Sequence, residues 1–179
     1  MNKLFRLTVT AVVLLTVLCC FTGCQDRREP TIKEGEFPFV VEYEIDGERY
    51  VIEDTVVCSY YGYDHSIPEP FRSRMYLTHL KNESTRILIE FEENSESLMR
   101  KGRINEESRI LLQCGDGDYY LNDPDGGSPP RITYNEHYKV GDNATKWDLT
   151  DLSFEELEEI FGIKIIRFEF CEPIENTFE

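Results

Sequence analysis

The stretch 36-EFPFVVEYEIDGERYVIEDTVVCSY-60 decides the fold class. Phe37, Phe39, Val41, Tyr43 and Ile45 occupy every second position. Strict alternation of this kind puts one face of a β-strand into a core. Asp46-Gly47 is a favoured two-residue hairpin turn, because both central positions need positive φ. With those two residues as the loop, Ile45 faces Glu48, Tyr43 faces Tyr50, Val41 faces Ile52 and Phe37 faces Val56. Opposed residues share a face, so the apolar sets of both strands land on one side. A slip of one residue would destroy the match. One pair conflicts: Asp54 falls opposite Phe39, which predicts a bulge or a divergence of the strands there.

Working outward, further strands are predicted at 71–80 (FRSRMYLTHL), 86–91 (RILIEF) and 109–114 (RILLQC). The first should bury Phe71, Met75 and Leu77. A strand at 118–121 would follow 109–114 through a Gly115-Asp116-Gly117 hairpin, and 131–140 alternates again. Residues 94–103 read as one helical turn at most. One helix is well marked over about 154–161. Ser153 and Glu156 form a capping box, Leu152 and Leu157 occupy the staple positions, and Gly162 ends it. The run 163–170 (IKIIRFEF) is apolar on both faces, which predicts a central strand. Short strands, Gly/Asn/Asp turns and a single helix indicate a mainly β, two-layer β-sandwich-like domain over 36–179.

The first 23 residues read as an export signal. Lys3 and Arg6 precede an uncharged run that starts at Leu7, and small residues close it. The end of that run, Phe21-Thr22-Gly23-Cys24, resembles the lipobox of bacterial lipoproteins, in which the cysteine is lipidated and becomes the mature N-terminus. Cys24 is therefore the expected lipidation site, and the membrane the expected partner through that anchor. Residues 24–35 (CQDRREPTIKEG) are too polar to fold alone and read as a flexible tether. Removal of 1–23 takes away Lys3 and Arg6 and leaves 17 basic against 35 acidic residues. So acidic a chain argues against nucleic acid, whose binding depends on Lys and Arg neutralising phosphates.

The stretches GEFPFVVEYEIDGERYVIEDTVVCSYYG and FGIKIIRFEFCEPIENTF resemble a loose group of small Gram-positive-type bacterial lipoproteins of unknown function. That resemblance implies an exported protein, lipid-anchored on the extracytoplasmic face of the cell membrane. It brings no activity, cofactor or catalytic residue with it.

Tests for chemistry find little. His65, His79 and His137 have no metal-ligand spacing. There is no Gly-x-Ser-x-Gly and no phosphate loop before a helix. Cys58, Cys114 and Cys171 are spaced 56 and 57 residues apart, which removes any local Cys-x-x-Cys motif, and buried small hydrophobe is the reading for all three. Asp116, Asp118, Asp123 and Asp125 are hard oxygen ligands, but the calcium-loop spacing fails, and solvated Asp/Gly turns explain them. No metal or cofactor is expected. The candidate ligand contacts are Tyr61, Tyr63 and His65, where a strand gives way to a loop. Alternation puts Tyr61 and Tyr63 on one face and Tyr60 in the core, with Gly62 free to bend between them. Tyrosine rings offer a large contact area with a polar tip, suited to a glycan, a peptide or a protein. The expected function is a non-enzymatic, surface-exposed binding or interaction domain. The alternatives are an envelope hydrolase with an unidentified carboxylate or histidine site, and a structural subunit whose exposed sheet edge pairs with a partner strand.

Overall fold

The computed structural model describes residues 28–68, 72–140 and 144–179. Residues 1–23, read above as an export signal, Cys24 and Phe71 lie outside them. Two antiparallel sheets pack face to face as a β-sandwich. The first contains β1 (Glu34–Ile45), β2 (Glu48–Tyr63), β3 (Arg74–Leu80) and the last strand, β9 (Ile163–Phe170), in the order β3-β2-β1-β9. The second contains β4 (Ile87–Glu90), β6 (Ile104–Gln113), β7 (Arg131–Val140) and β8 (Ala144–Leu152), in that order. The two-residue strand β5 (Ser95–Glu96) pairs with β6. Helix α1 (Gly117–Tyr120) follows β6, and α2 (Phe154–Phe161) joins β8 to β9.

The β1–β2 hairpin has the expected register, with Tyr43 opposite Tyr50 and their rings stacked at 5.3 Å. Asp46 and Gly47 both have positive φ, 52° and 83°. Replacing Gly47 with valine should cost ~1 kcal/mol or more, because a β-branched residue resists that conformation. Urea unfolding measures it, and an unchanged midpoint would contradict the turn assignment. Inward residues of this sheet (Phe37, Phe39, Val41, Val56) meet Ile110, Leu112, Ile132 and Tyr134 of the other, all buried. Helix α2 has its capping box, a left-handed Gly162 at its end and a fully buried Leu157.

Several expectations are corrected. No bulge separates Phe39 from Asp54, and the ladder runs through them unbroken. Asp54 turns inward and accepts backbone N–H bonds from Thr55 (2.7 Å), Asn82 (3.0 Å) and Ser84 (3.1 Å), which anchor the β3–β4 loop. β3 has the opposite parity: Arg74 is buried, Tyr76 and Leu80 pack on the core, and Leu77 is exposed. Residues 118–121 belong to α1, not to a strand, because the Asp116 side chain caps Tyr119 N–H and starts a helical turn. Residues 94–103 hold β5 and turns rather than a helical turn. β9 is an edge strand, and a bulge opposite Glu42/Tyr43 shifts its parity, so Ile163, Ile165, Phe168 and Phe170 all share the core face, where Phe154 of α2 meets Phe168 at 5.3 Å. Cys58 and Cys114 are buried, but Cys171 is exposed.

The two ends of the described chain are joined. Glu29 and Glu179 exchange a pair of backbone hydrogen bonds of 2.8 and 2.9 Å, and Thr31 N–H donates to the Thr177 carbonyl. The Asn176 amide clasps both Ile32 backbone groups at 3.0 and 2.9 Å. The segment assigned to the tether is thus held from residue 29 onward, and β1 begins at Glu34.

Candidate functional site

The tyrosine loop does not form the expected site. A bulge lies between Tyr60 and Gly62 in the β2–β3 ladder. Gly62 has φ of 113°, and the extra residue returns Tyr63 to the side of Tyr60. Tyr60 and Tyr63 meet edge to face at 6.3 Å, with Tyr60 only half-buried. Tyr61 stands alone on the other side, 68% exposed, and His65 is exposed in the turn beyond. Tyr61→Ala should therefore leave stability within ~0.5 kcal/mol of wild type, whereas Tyr63→Ala should cost ~1 kcal/mol. Equal effects on the melting temperature would show that the bulge does not separate the two rings.

The aspartates beside this loop are not solvated turns. Arg74 is buried and donates from Nη1 to Asp123 (3.0 Å) and Asp125 (2.9 Å), and from Nε to the Arg28 carbonyl (2.9 Å). Tyr76 donates its hydroxyl to the other Asp123 oxygen at 2.5 Å. Asp116 is occupied with the N–H groups of Tyr119 and Ser128. Burial, then the neighbouring Asp116, push Asp118 up to about 6. The cluster is organised around a guanidinium as a structural lock. Among the described residues, no group of three His, Cys, Asp or Glu is placed to hold a metal ion.

A different surface stands out on the second sheet. β7 and β8 pair directly at His137↔Trp147 and Asn135↔Leu149. Trp147, the single tryptophan of the chain, is 63% exposed, and Leu149 is 52% exposed. The His137 and Trp147 rings stack at 4.4 Å with an angle of 28°. Strands in a sheet lie about 4.8 Å apart, so this stack runs across the strands. One indole face is taken by His137, and the other looks toward the free side of β8. On that side no strand follows among the described residues. A groove lined by Glu90, Glu106, Glu107, His137 and Lys139 adjoins the stack from the β6 side.

The opposite face of β8 is fixed by charge. Glu136 is 1% exposed and accepts from Asn105 Nδ2 (2.9 Å) and Arg103 Nη1 (3.0 Å). Arg103 also donates to Asp148 at 2.9 Å and lies over the Tyr138 ring at 3.8 Å. This network holds β8 in place from within and leaves its outer row to solvent. The segment 144-ATKWDLTDL-152 carries no clear strand signal, because threonine, lysine and aspartate dilute its alternation. The usable signal was the isolated tryptophan two residues from a leucine.

Comparison with family models, with curated proteins and with solved structures gave no match.

Proposed function

We propose that this chain is an exported lipoprotein, anchored through Cys24 on the extracytoplasmic face of the membrane, whose β-sandwich docks a protein partner through the edge of β8. The observation that carries this reading is the exposed Trp147–Leu149 row on a nine-residue strand with one side unpaired among the described residues. Unpaired strand edges are templates for another strand, and proteins normally shorten or cover them. Among the other edge strands, β4 has only four residues, β3 packs against α1, and β9 meets Phe154 of α2 through Phe168. An enzymatic reading has less support, since the buried carboxylates Asp54, Asp123 and Glu136 are each taken up by donors within the fold. Support for the anchor comes from Phe21-Thr22-Gly23-Cys24 and from the acidic balance of the remaining chain.

The test uses the full chain expressed in a Gram-positive host. Wild type should fractionate with membranes and, in mild detergent, migrate as a species larger than one chain. Cys24→Ala should release it or leave it as precursor. Leu149→Lys should keep it on the membrane but reduce it to a single chain. A wild type found in the soluble fraction would overturn the anchor. A complex untouched by Leu149→Lys would overturn the docking edge.

A further inference from the structure

We infer that the strand seated on β8 is β8 of a second copy, paired antiparallel about a two-fold axis at Trp147. The inference rests on the docking reading above and names its partner. An isologous interface requires each patch to be complementary to itself. The segment 144-ATKWDLT-150 meets that requirement when Trp147 faces Trp147 of the second copy. Lys146 then faces Asp148, and Thr145 faces Leu149, each pair occurring twice. Opposed residues share a sheet face, so only shifts of two positions compete. Such a shift sets Lys146 opposite Lys146 in one direction and Asp148 opposite Asp148 in the other. Like charges directly opposed are destabilising, which disfavours the Lys146 shift. Each Asp148 already holds Arg103, and the Asp148 shift is disfavoured chiefly because it sets Trp147 against Leu149 and forfeits the Trp147 pair.

The aromatic geometry agrees with the same register. The indole face not covered by His137 looks across the free edge of β8. A second Trp147 at strand spacing would extend the two-ring stack into a run of four, His137–Trp147–Trp147–His137. Cross-strand aromatic pairs are among the stronger contributors to sheet pairing. Leu149 would be shielded on the same outer row by Thr145 of the other copy. Confinement to one membrane surface would favour the encounter by raising the effective concentration of anchored copies.

The purified full chain in detergent, followed by sedimentation over a range of concentrations, should form a dimer. Trp147→Ala and Lys146→Glu should each raise its dissociation constant about tenfold or more, with unchanged circular dichroism. Cysteine pairs read the register. Opposed residues have Cα atoms 4.5–5.5 Å apart, within disulfide range. In a Cys171→Ser background, Thr145→Cys copies mixed with Leu149→Cys copies should cross-link on oxidation, and neither should cross-link to itself. Differently tagged wild-type copies should co-purify, which needs no substitution. A wild type that stays monomeric at every concentration would overturn the proposal, as would Leu149→Cys copies joining to each other as readily as the mixed pair. If the wild type is monomeric while Leu149→Lys still dissolves a larger complex from membranes, the docking edge stands and the second copy is excluded.

Discussion

Replacing Arg74 with methionine should lower the unfolding free energy by about 3–5 kcal/mol, the usual consequence of removing one partner from a buried ion pair. The Arg74 and Asp123 side chains are each 2% exposed. Without the guanidinium, Asp123 keeps the hydroxyl of Tyr76 but loses its buried positive charge. Asp125 and the Arg28 carbonyl lose a donor at the same time, and the Phe178 ring loses the cation 4.9 Å beneath it. Methionine has similar bulk, so the loss reports charge rather than a cavity. A second substitution, Asp123→Asn, isolates the cause. It removes the orphaned charge, so the double variant should lose less than the sum of the two single variants. Urea unfolding of all four chains measures this, and strict additivity would show that the two groups do not depend on each other.

The second large effect is expected at Asp54, where alanine should cost about 2–3 kcal/mol, because backbone donors of Thr55, Asn82 and Ser84 lose their common acceptor. Burial alone would raise this carboxyl, but the hydrogen bonds from Thr55, Ser84 and Asn82 outweigh it and hold its pKa at about 2, against 3.8 unperturbed. The folded state therefore binds the proton less well than the unfolded chain. Its contribution to stability is complete above about pH 4 and is lost as pH falls through 2. The wild type should show a loss of stability across that window, and Asp54→Ala should show a shallower one. Identical acid limbs in the two proteins would mean that the loop does not hold the carboxylate in its charged form.

What the sequence made legible followed local rules. The first hairpin combines alternation with a turn whose chemistry permits one register, and α2 carries a cap, a staple and a terminal glycine. The misread parts depend on distant residues. Arg74 could be assigned to the core only by knowing that Asp123 and Asp125 arrive from α1's far side to neutralise it. Asp54 could face inward only because the β3–β4 loop brings two backbone donors to it, beside that of Thr55. Gly62 marks a bend, but the sense of its bulge decides which tyrosines share a side, and a period of two is blind to that. β9 reads as apolar at both parities because a bulge moves Phe168 and Phe170 onto the same core face as Ile163 and Ile165. At the candidate docking edge the difficulty is intrinsic. A strand that is half solvated has little hydrophobic periodicity to reveal it, and Trp147 gains meaning only beside His137.

The joined chain ends also determine how the molecule yields to a pull on its N-terminus. Force enters at Arg28, whose carbonyl is held by Arg74, and meets the Glu29–Glu179 and Thr31–Thr177 hydrogen bonds and the Asn176 clasp on Ile32 before it reaches β1. These bonds open one after another, as a zipper, and each needs little force compared with shearing a whole strand. Peeling stops at Lys33, whose carbonyl is held by Tyr60 N–H, just before β1 becomes flanked by β2 and β9. Residues 28–32 are then paid out as about 17 Å of extended chain while the core stays folded. The strap is a mechanical fuse with built-in slack, which yields before a load on the N-terminal side reaches the sandwich.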